Sequence, residues 1–550
     1  MATDLDVAFP TLGPRDLDAL EARGHPRDVR AGDVLFAAGD RHFCFYAIRQ
    51  GSIEIVEQSS GEPRSVATHH AGQFTGDVDM LSGRVALVTA RAAEDGRVIE
   101  LSAEELRRAV DELPELGETI IKAFLTRRQL LISGGFVGIR IIGSRFSPAA
   151  HRLRDFAVRN AIPFTFQDLE TDEQADALIR GLGIAAAETP IVLTRDGHLV
   201  RNPSIAAFAS CAGLTIEMDD DQVHDLVVVG AGPAGLAASV YAASEGLEVL
   251  TVEALAAGGQ AGTSTRIENY LGFPAGISGA DLTRNALLQA QRFGARITVP
   301  AMVRSLGIDG GEHVVTLTDG TRLRTRCVLV ASGVAYRKLD VDGFARFEGA
   351  GIYYAATDME ARLCRGEEVV VVGGGNSAGQ AVVYLAKYAR HVHVLIRGKA
   401  LGGGMSRYLV DRLEGLENVT ILTETTVTGL AGDDRLNEVH ATGADGTRRT
   451  FETSSLFLFI GADANTSWLR GCVGLDRKGF VLTGTSLPGG TAELERWQAV
   501  GRAPFLLETT LPGVFAAGDV RSGSVKRVAS AVGEGAMAVS FVHTYIARPV

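Results

Sequence analysis

The period of the hydrophobic pattern changes along the chain, and the changes mark its parts. From Val29 to Leu101 short alternating runs stand between glycines: Gly32 to Asp40, Phe45 to Glu57 and Ala71 to Ala92. Period-two alternation broken at glycine turns predicts a small β-roll or barrel. Over 101–131 the apolar residues move to helical spacing, with Ser102 as N-cap and Glu105 completing a capping box, so helices should close the roll. Residues 138–213 then read as strand (138–143), helix (148–160), strand (164–168), helix (171–181), two strands after Thr189-Pro190, and a last helix. Further on, Leu226 to Ser244 and Val369 to Ala386 carry no charge and could pass for membrane spans. Each breaks at glycines after a few apolar residues, which predicts a buried strand, a tight turn and a helix instead.

At 550 residues the chain should hold three to four domains of about 150 residues each. Its net charge of -12 repels phosphate backbones and argues against a nucleic-acid partner. Glycine, at 65 residues, exceeds the roughly 7% average and suggests many turns or phosphate-approaching loops. The five cysteines at 44, 211, 327, 364 and 472 form no CxxC and no metal-ligand spacing. The opening MATDLDVAFP lacks a basic start and an apolar core. A cytoplasmic protein without disulfides, metal or membrane anchor is expected. The acidic run from Glu217 to Asp221 reads as a hinge.

Two motifs carry chemistry. Gly230, Gly232, Pro233, Ala234 and Gly235 follow an apolar strand and open an alanine-rich helix, and Glu253 ends the next strand. This is a dinucleotide fingerprint in its proper context, with backbone amides and the helix dipole for a pyrophosphate and the carboxylate for ribose hydroxyls. Gly373, Gly375, Asn376, Ser377 and Ala378 form a second copy. At the place equivalent to Glu253 the second copy has Ile396, followed by Arg397 and Lys399. Losing the carboxylate and gaining cations suits a 2'-phosphate, so the second site should take NADPH.

The segments at 258–274, 331–339, 459–466, 513–520 and 526–539, together with both fingerprints, closely resemble the low-molecular-weight thioredoxin reductases over about residues 224–548. The resemblance implies an α/β flavoprotein with two dinucleotide domains, the second inserted in the first, and FAD and NADPH as cofactors. It implies that Gly259, Gln260 and Asn269 line the flavin, that Gly333 belongs to the same site, that Gly518 and Asp519 grip the ribityl chain, and that Arg527, Val528 and Ala529 meet the isoalloxazine edge. It also implies a nucleotide domain that swings to bring nicotinamide to flavin. The departure lies at 353–358, where the family keeps a CATCD-type dithiol: here Tyr354 and Thr357 replace the cysteines. Asp358 matches the family's proton donor, but there is no dithiol to protonate, and no catalytic residue is assigned.

The roll, over about residues 5–135, resembles a cyclic-nucleotide-binding domain. Its ribose and phosphate positions would be Gly76-Asp77 and Arg84, with Asp in place of the family's Glu and Val85 in place of a hydroxyl residue. A ligand-free structural or dimerising roll is the favoured reading. Residues 138–213 resemble a glutaredoxin or thioredoxin fold whose dithiol position holds Ser147 to Ala150, which makes a docking module of it. The expected boundaries are 1–135, 136–215, 224–340 with 456–550 for FAD, and 341–455 for NADPH. Electrons from NADPH would leave through FAD to an acceptor outside the chain: a ferredoxin or flavodoxin, a quinone, oxygen or a partner protein. Disulfide reduction through a distant cysteine or partner, and a non-catalytic redox or cyclic-nucleotide scaffold, stand as alternatives. A homodimer is expected.

Overall fold

A computed structural model describes residues 4–57, 64–76, 80, 85–133, 139–194, 198–216, 218, 222–264, 266–348, 350–401, 405–433, 435–487, 497–498 and 500–547. The chain divides into two compact units. The first comprises Met1–Arg145, Leu153–Met218 and Leu288–Pro300, and the second Phe146–Arg152, Asp219–Leu287 and Ala301–Val550.

In the first unit, the alternating N-terminal runs form two antiparallel sheets. One is ordered His25–Val29, Gly96–Leu101, Phe45–Gln50, and the other Val34–Phe36, Thr89–Ala92, Ser52–Glu57, Arg64–His70. Their inward residues, including Phe45, Ile48 and Ile99, meet Phe74 from the following loop and Phe124 from the closing helix in one core. The strand expected over 32–40 is cut to Val34–Phe36 because the Asp40 carboxylate accepts from the Ala37 amide at 2.8 Å and Gly39 turns at φ +98°. Ser102 caps the helix Ala103–Glu112 as expected: its hydroxyl accepts from the Glu105 amide at 3.2 Å, and the Glu105 carboxylate accepts from the Ser102 amide at 2.8 Å. A second helix, Pro114–Ser133, follows. Its Arg127 is buried, donating to the carbonyls of Ala8 (2.7 Å) and Gly76 (2.8 Å) and lying 4.7 Å over the Phe74 ring.

The next sheet is ordered Leu199–Arg201, Ile191–Leu193, Ile139–Gly143, Phe164–Asp168, with the last pair parallel and the others antiparallel. Phe156 and Phe208 pack edge to face at 6.0 Å beneath it, and the Thr189-Pro190 peptide is cis. The helix expected from 171 starts at Glu173, because Asp172 stays extended and caps the amides of Gln174 and Ala175.

The second unit holds two parallel sheets. The strands Val249–Val252, Val223–Val229 and Arg322–Val330 lie side by side, extended on one flank by the antiparallel strands Glu312–Leu317 and Val303–Asp309. The chain leaves this sheet after Val330 and returns beside the same strand at Val514–Ala516. Between those points it builds a second parallel sheet, ordered Ile352–Tyr353, Leu456–Leu458, Glu368–Val372, His391–Leu395, Val419–Leu422. One nucleotide fold is therefore inserted in the other. The antiparallel strands Val334–Tyr336 and Ala462–Ala464 carry the chain out and back.

Candidate cofactor site

Three fingerprint glycines, Gly230, Gly235 and Gly373, each have a steric reason. At Gly230 the backbone turns at φ +106°, and a Cβ would stand 2.4 Å from the Ala331 carbonyl. Gly232 is the N-cap of the helix Pro233–Ser244 and faces Gly259, whose own Cβ would come 3.0 Å from the Gly232 Cα. At Gly235 a Cβ would fall 1.8 Å from the Gly230 carbonyl, so only glycine lets helix and strand meet. The second fingerprint repeats the scheme. Gly373 turns at φ +146° against the Phe459 carbonyl (2.4 Å), Gly375 caps the helix Asn376–Leu385, and Ala378 is fully buried. Two helix N-termini thus end in bare backbone cradles that a side chain would fill, which is the shape and polarity a pyrophosphate requires.

Around the first cradle, Glu253 accepts from the amides of Ala231 (2.8 Å) and Leu255 (3.0 Å); burial pushes its carboxyl upward, opposed by these bonds. The Gln260 amide donates to the Val334 carbonyl at 2.6 Å, and Gly333 turns at φ +61° with open space where a Cβ would stand. Asn269 is exposed. Gly518 and Asp519 form a single turn at the end of Val514–Ala516. The Gly518 amide donates to Glu534, which also pairs with Arg521 at 2.5 Å. Burial raises the Asp519 carboxyl, and among the described residues it accepts no hydrogen bond, which leaves its oxygens for a ligand's hydroxyls. Arg527, Val528 and Ala529 open the helix Val528–Ile546, with Arg527 and Ala529 exposed. The same helix seats Gly535 against the Ala234 carbonyl, where a Cβ would come within 2.1 Å, so Gly518 and the first cradle share one support.

Around the second cradle, the Asn376 side-chain oxygen accepts from the Ser406 amide at 2.6 Å, and Ser377 follows on the same first turn. Arg397 and Lys399 are exposed beyond the strand His391–Leu395 and make no ion pair among the described residues. Both are free to meet a phosphate.

The two positions where a dithiol would sit are committed elsewhere. The Tyr354 hydroxyl donates to Glu348 at 2.7 Å, and its ring stacks on Tyr336 at 5.4 Å and 5°. Thr357 precedes the helix Asp358–Leu363, and both its amide (2.9 Å) and its hydroxyl bind the Glu360 carboxylate. That is a helix cap, and its sequence signal is the spacing of Thr357 and Glu360. The Tyr336 stack and the Glu534 brace had no local signal. Cys364 is fully buried and donates to the Glu360 carbonyl, with burial pushing its thiol up to about 12.

Two linked nucleotide folds with glycine cradles define a flavin and pyridine-nucleotide oxidoreductase. Residues 224–535 match the model of the pyridine nucleotide-disulphide oxidoreductases, and the chain belongs to that family; residues 26–112 match the cyclic nucleotide-binding domain. The chain is 32% identical over 317 residues to a thioredoxin reductase of Mycolicibacterium smegmatis, covering 58% of this chain and 94% of that one. It is 28% identical over 330 residues to a 34.2 kDa protein in the rubredoxin operon of Clostridium pasteurianum, covering 60% and 99%. A solved thioredoxin reductase of T. acidophilum superposes with a TM-score of 0.52 at 28% identity, over 59% of this chain and 99% of that one. The fold class, the family and its cofactors FAD and NADPH are therefore as the sequence leads one to expect. Among the described residues no helix is long and apolar enough to cross a membrane.

Proposed function

We propose that the chain takes hydride from NADPH onto FAD and passes the electrons to an acceptor outside itself, without an in-chain dithiol. The observation that carries the reading is the commitment of Tyr354 to Glu348 and of Thr357 to a helix cap. Bound FAD supplies hydride acceptance and release of electrons singly or in pairs, and the protein supplies placement. Gly230, Gly232, Pro233, Ala234 and Gly235 would hold the FAD pyrophosphate and Glu253 its ribose. Gly259, Gln260, Asn269, Gly333, Gly518, Asp519, Arg527, Val528 and Ala529 would hold the flavin and ribityl. Gly373, Gly375, Asn376, Ser377 and Ala378 would hold the NADPH pyrophosphate. The acceptor is a small redox protein such as a ferredoxin or flavodoxin, a quinone or oxygen; the relative in a rubredoxin operon supports testing iron-sulfur carriers first. An anaerobic panel of these acceptors with the yellow protein tests the reading, and no turnover with any of them would refute it. Five free cysteines fit a cytoplasmic setting.

Arg397 and Lys399 would bind the 2'-phosphate. Arg397→Ala is then expected to raise the NADPH half-saturation about tenfold or more while moving that of NADH less than twofold. Equal changes for both nucleotides would remove Arg397 from the site.

The four-stranded sheet at 139–201, with the parallel pair Ile139–Gly143 and Phe164–Asp168 at one edge, antiparallel strands on the other side and three helices, supports the reading of residues 136–215 as a thioredoxin-like docking module without a dithiol. The roll's Asp77 and Arg84 lie outside the described residues. Cyclic AMP and cyclic GMP are expected to bind weakly or not at all, since Asp77 is a methylene short of the usual Glu. Calorimetry giving a micromolar constant that Arg84→Ala abolishes would make the roll a working sensor instead.

A further inference from the structure

The two nucleotide-binding halves of the second unit are joined by a ribbon of only two short strands, Val334–Tyr336 and Ala462–Ala464. A two-stranded ribbon by itself is marginally stable in water, so something else must fix its direction. Two contacts tie it to the inserted half, a third braces them, and two more hold its strands together. Tyr336, the last residue of its strand, stacks on Tyr354 of the inserted half with ring centres 5.4 Å apart and planes 5° from parallel. One Glu348 oxygen accepts from the Tyr354 hydroxyl at 2.7 Å, and the other accepts from Lys338 Nζ at 2.7 Å, just past the strand. Across the ribbon, Arg337 Nε donates to Asp463 at 2.9 Å and the Arg337 amide to the Gly461 carbonyl at 3.0 Å. Burial and the neighbouring carboxylate both hold the Tyr354 hydroxyl protonated, so it remains a donor at neutral pH.

We infer that Tyr354 is a positioning residue, which with Glu348 clamps the ribbon and so sets the orientation from which the NADPH half presents its nicotinamide to the flavin. The inference rests on the hydride transfer proposed above. Such transfer needs reacting atoms about 3–3.5 Å apart, a tolerance that a loose tether meets only part of the time. A side chain at the position matching the family's dithiol thus serves the hinge.

The test uses the full chain with Tyr354→Ala, Tyr354→Phe, Tyr336→Ala, the Tyr336→Ala/Tyr354→Ala double variant and Glu348→Gln. In the absence of nucleotide, hydrogen exchange at 334–336 and 462–464 is expected to speed at least about tenfold in Tyr354→Ala, since a stacked pair and a charged hydrogen bond are lost. At saturating NADPH, anaerobic flavin bleaching should slow by a similar factor with the half-saturation unchanged. Tyr354→Phe, which keeps the ring but not the bond to Glu348, and Glu348→Gln should fall between. The double variant should be no worse than either tyrosine variant alone, since the two residues form one contact. Unchanged ribbon exchange in Tyr354→Ala, or a loss appearing only in half-saturation, would overturn the inference. If the wild type is not bleached by NADPH, the hydride-transfer reading fails by itself, while the exchange measurement still decides whether the clamp exists.

Discussion

With NADPH, the purified chain should leave a small disulfide reagent and ordinary thioredoxin oxidised while reducing quinones and one-electron dyes. Disulfide exchange needs a thiolate to attack and a second thiol to resolve the mixed disulfide. Neither can come from the two positions beside the second fingerprint, where Tyr354 and Thr357 are bound to Glu348 and Glu360. Three of the five native cysteines are poor substitutes. Cys364 and Cys327 are fully buried, and burial raises both thiols, that of Cys364 to about 12. Cys44, half-buried, is pushed to about 11, mainly by burial and then by its bond to Glu100. A thiol at 12 is ionised to only about one part in 10⁵ at pH 7, too little for an efficient nucleophile. The expected contrast with a dithiol reductase is several orders of magnitude. A variant with Ser at 44, 211 and 472 and Ala at the buried 327 and 364 should match the wild type with quinones. If the wild type reduced thioredoxin and that variant did not, one of these cysteines would be a redox centre and the external-acceptor reading would fall.

The parts of the chain legible from sequence are those whose reason is local. Both fingerprints could be read because strand, turn and helix are contiguous, and a glycine such as Gly235 is demanded by atoms only five residues away. The Ser102 cap was readable for the same reason. What escaped was set by distant partners. Arg127 lies in a helix whose neighbouring residues give no sign that it is buried, yet its guanidinium satisfies carbonyls at Ala8 and Gly76. Glu534 is one carboxylate on a long helix until Arg521 and the Gly518 amide converge on it. The vacant dithiol was visible as a substitution, but the new use of Tyr354 was not, because Tyr336 lies across a domain connection. A helix starts a residue or two later than its pattern suggests where a side chain caps the backbone first, as at Asp172.

Changing Glu508 to Ala should have the largest effect on stability and should reach the flavin site as well. Glu508 has a fully buried side chain and pairs with Arg502, 9% exposed, through two bonds of 2.6 and 2.7 Å. Arg502 also lies over Phe505 at 4.0 Å and Trp497 at 5.1 Å, so it cannot turn outward without giving up those contacts. Removing one partner of such a pair strands a buried charge and typically costs about 3–5 kcal/mol. Here the cost should lie at the upper end, because the same carboxylate accepts from the amides of Phe505 (2.9 Å) and Gly513 (3.0 Å). Replacing both charges, as in Arg502→Met with Glu508→Leu, removes the stranded charge but still leaves two buried amides unsatisfied, at about 1–3 kcal/mol each. Gly513 turns at φ +78° directly before the strand Val514–Ala516, and that strand delivers Gly518 and Asp519. Loosening the turn should therefore weaken FAD retention before the rest of the chain unfolds. The measurement is the temperature at which flavin fluorescence appears on heating, followed alongside loss of far-ultraviolet circular dichroism. Flavin release well below the wild-type temperature in Glu508→Ala, with a smaller shift in the double replacement, is the expected pattern. If Glu508→Ala released flavin at the wild-type temperature, the buried pair would have no part in holding the strand that carries Asp519.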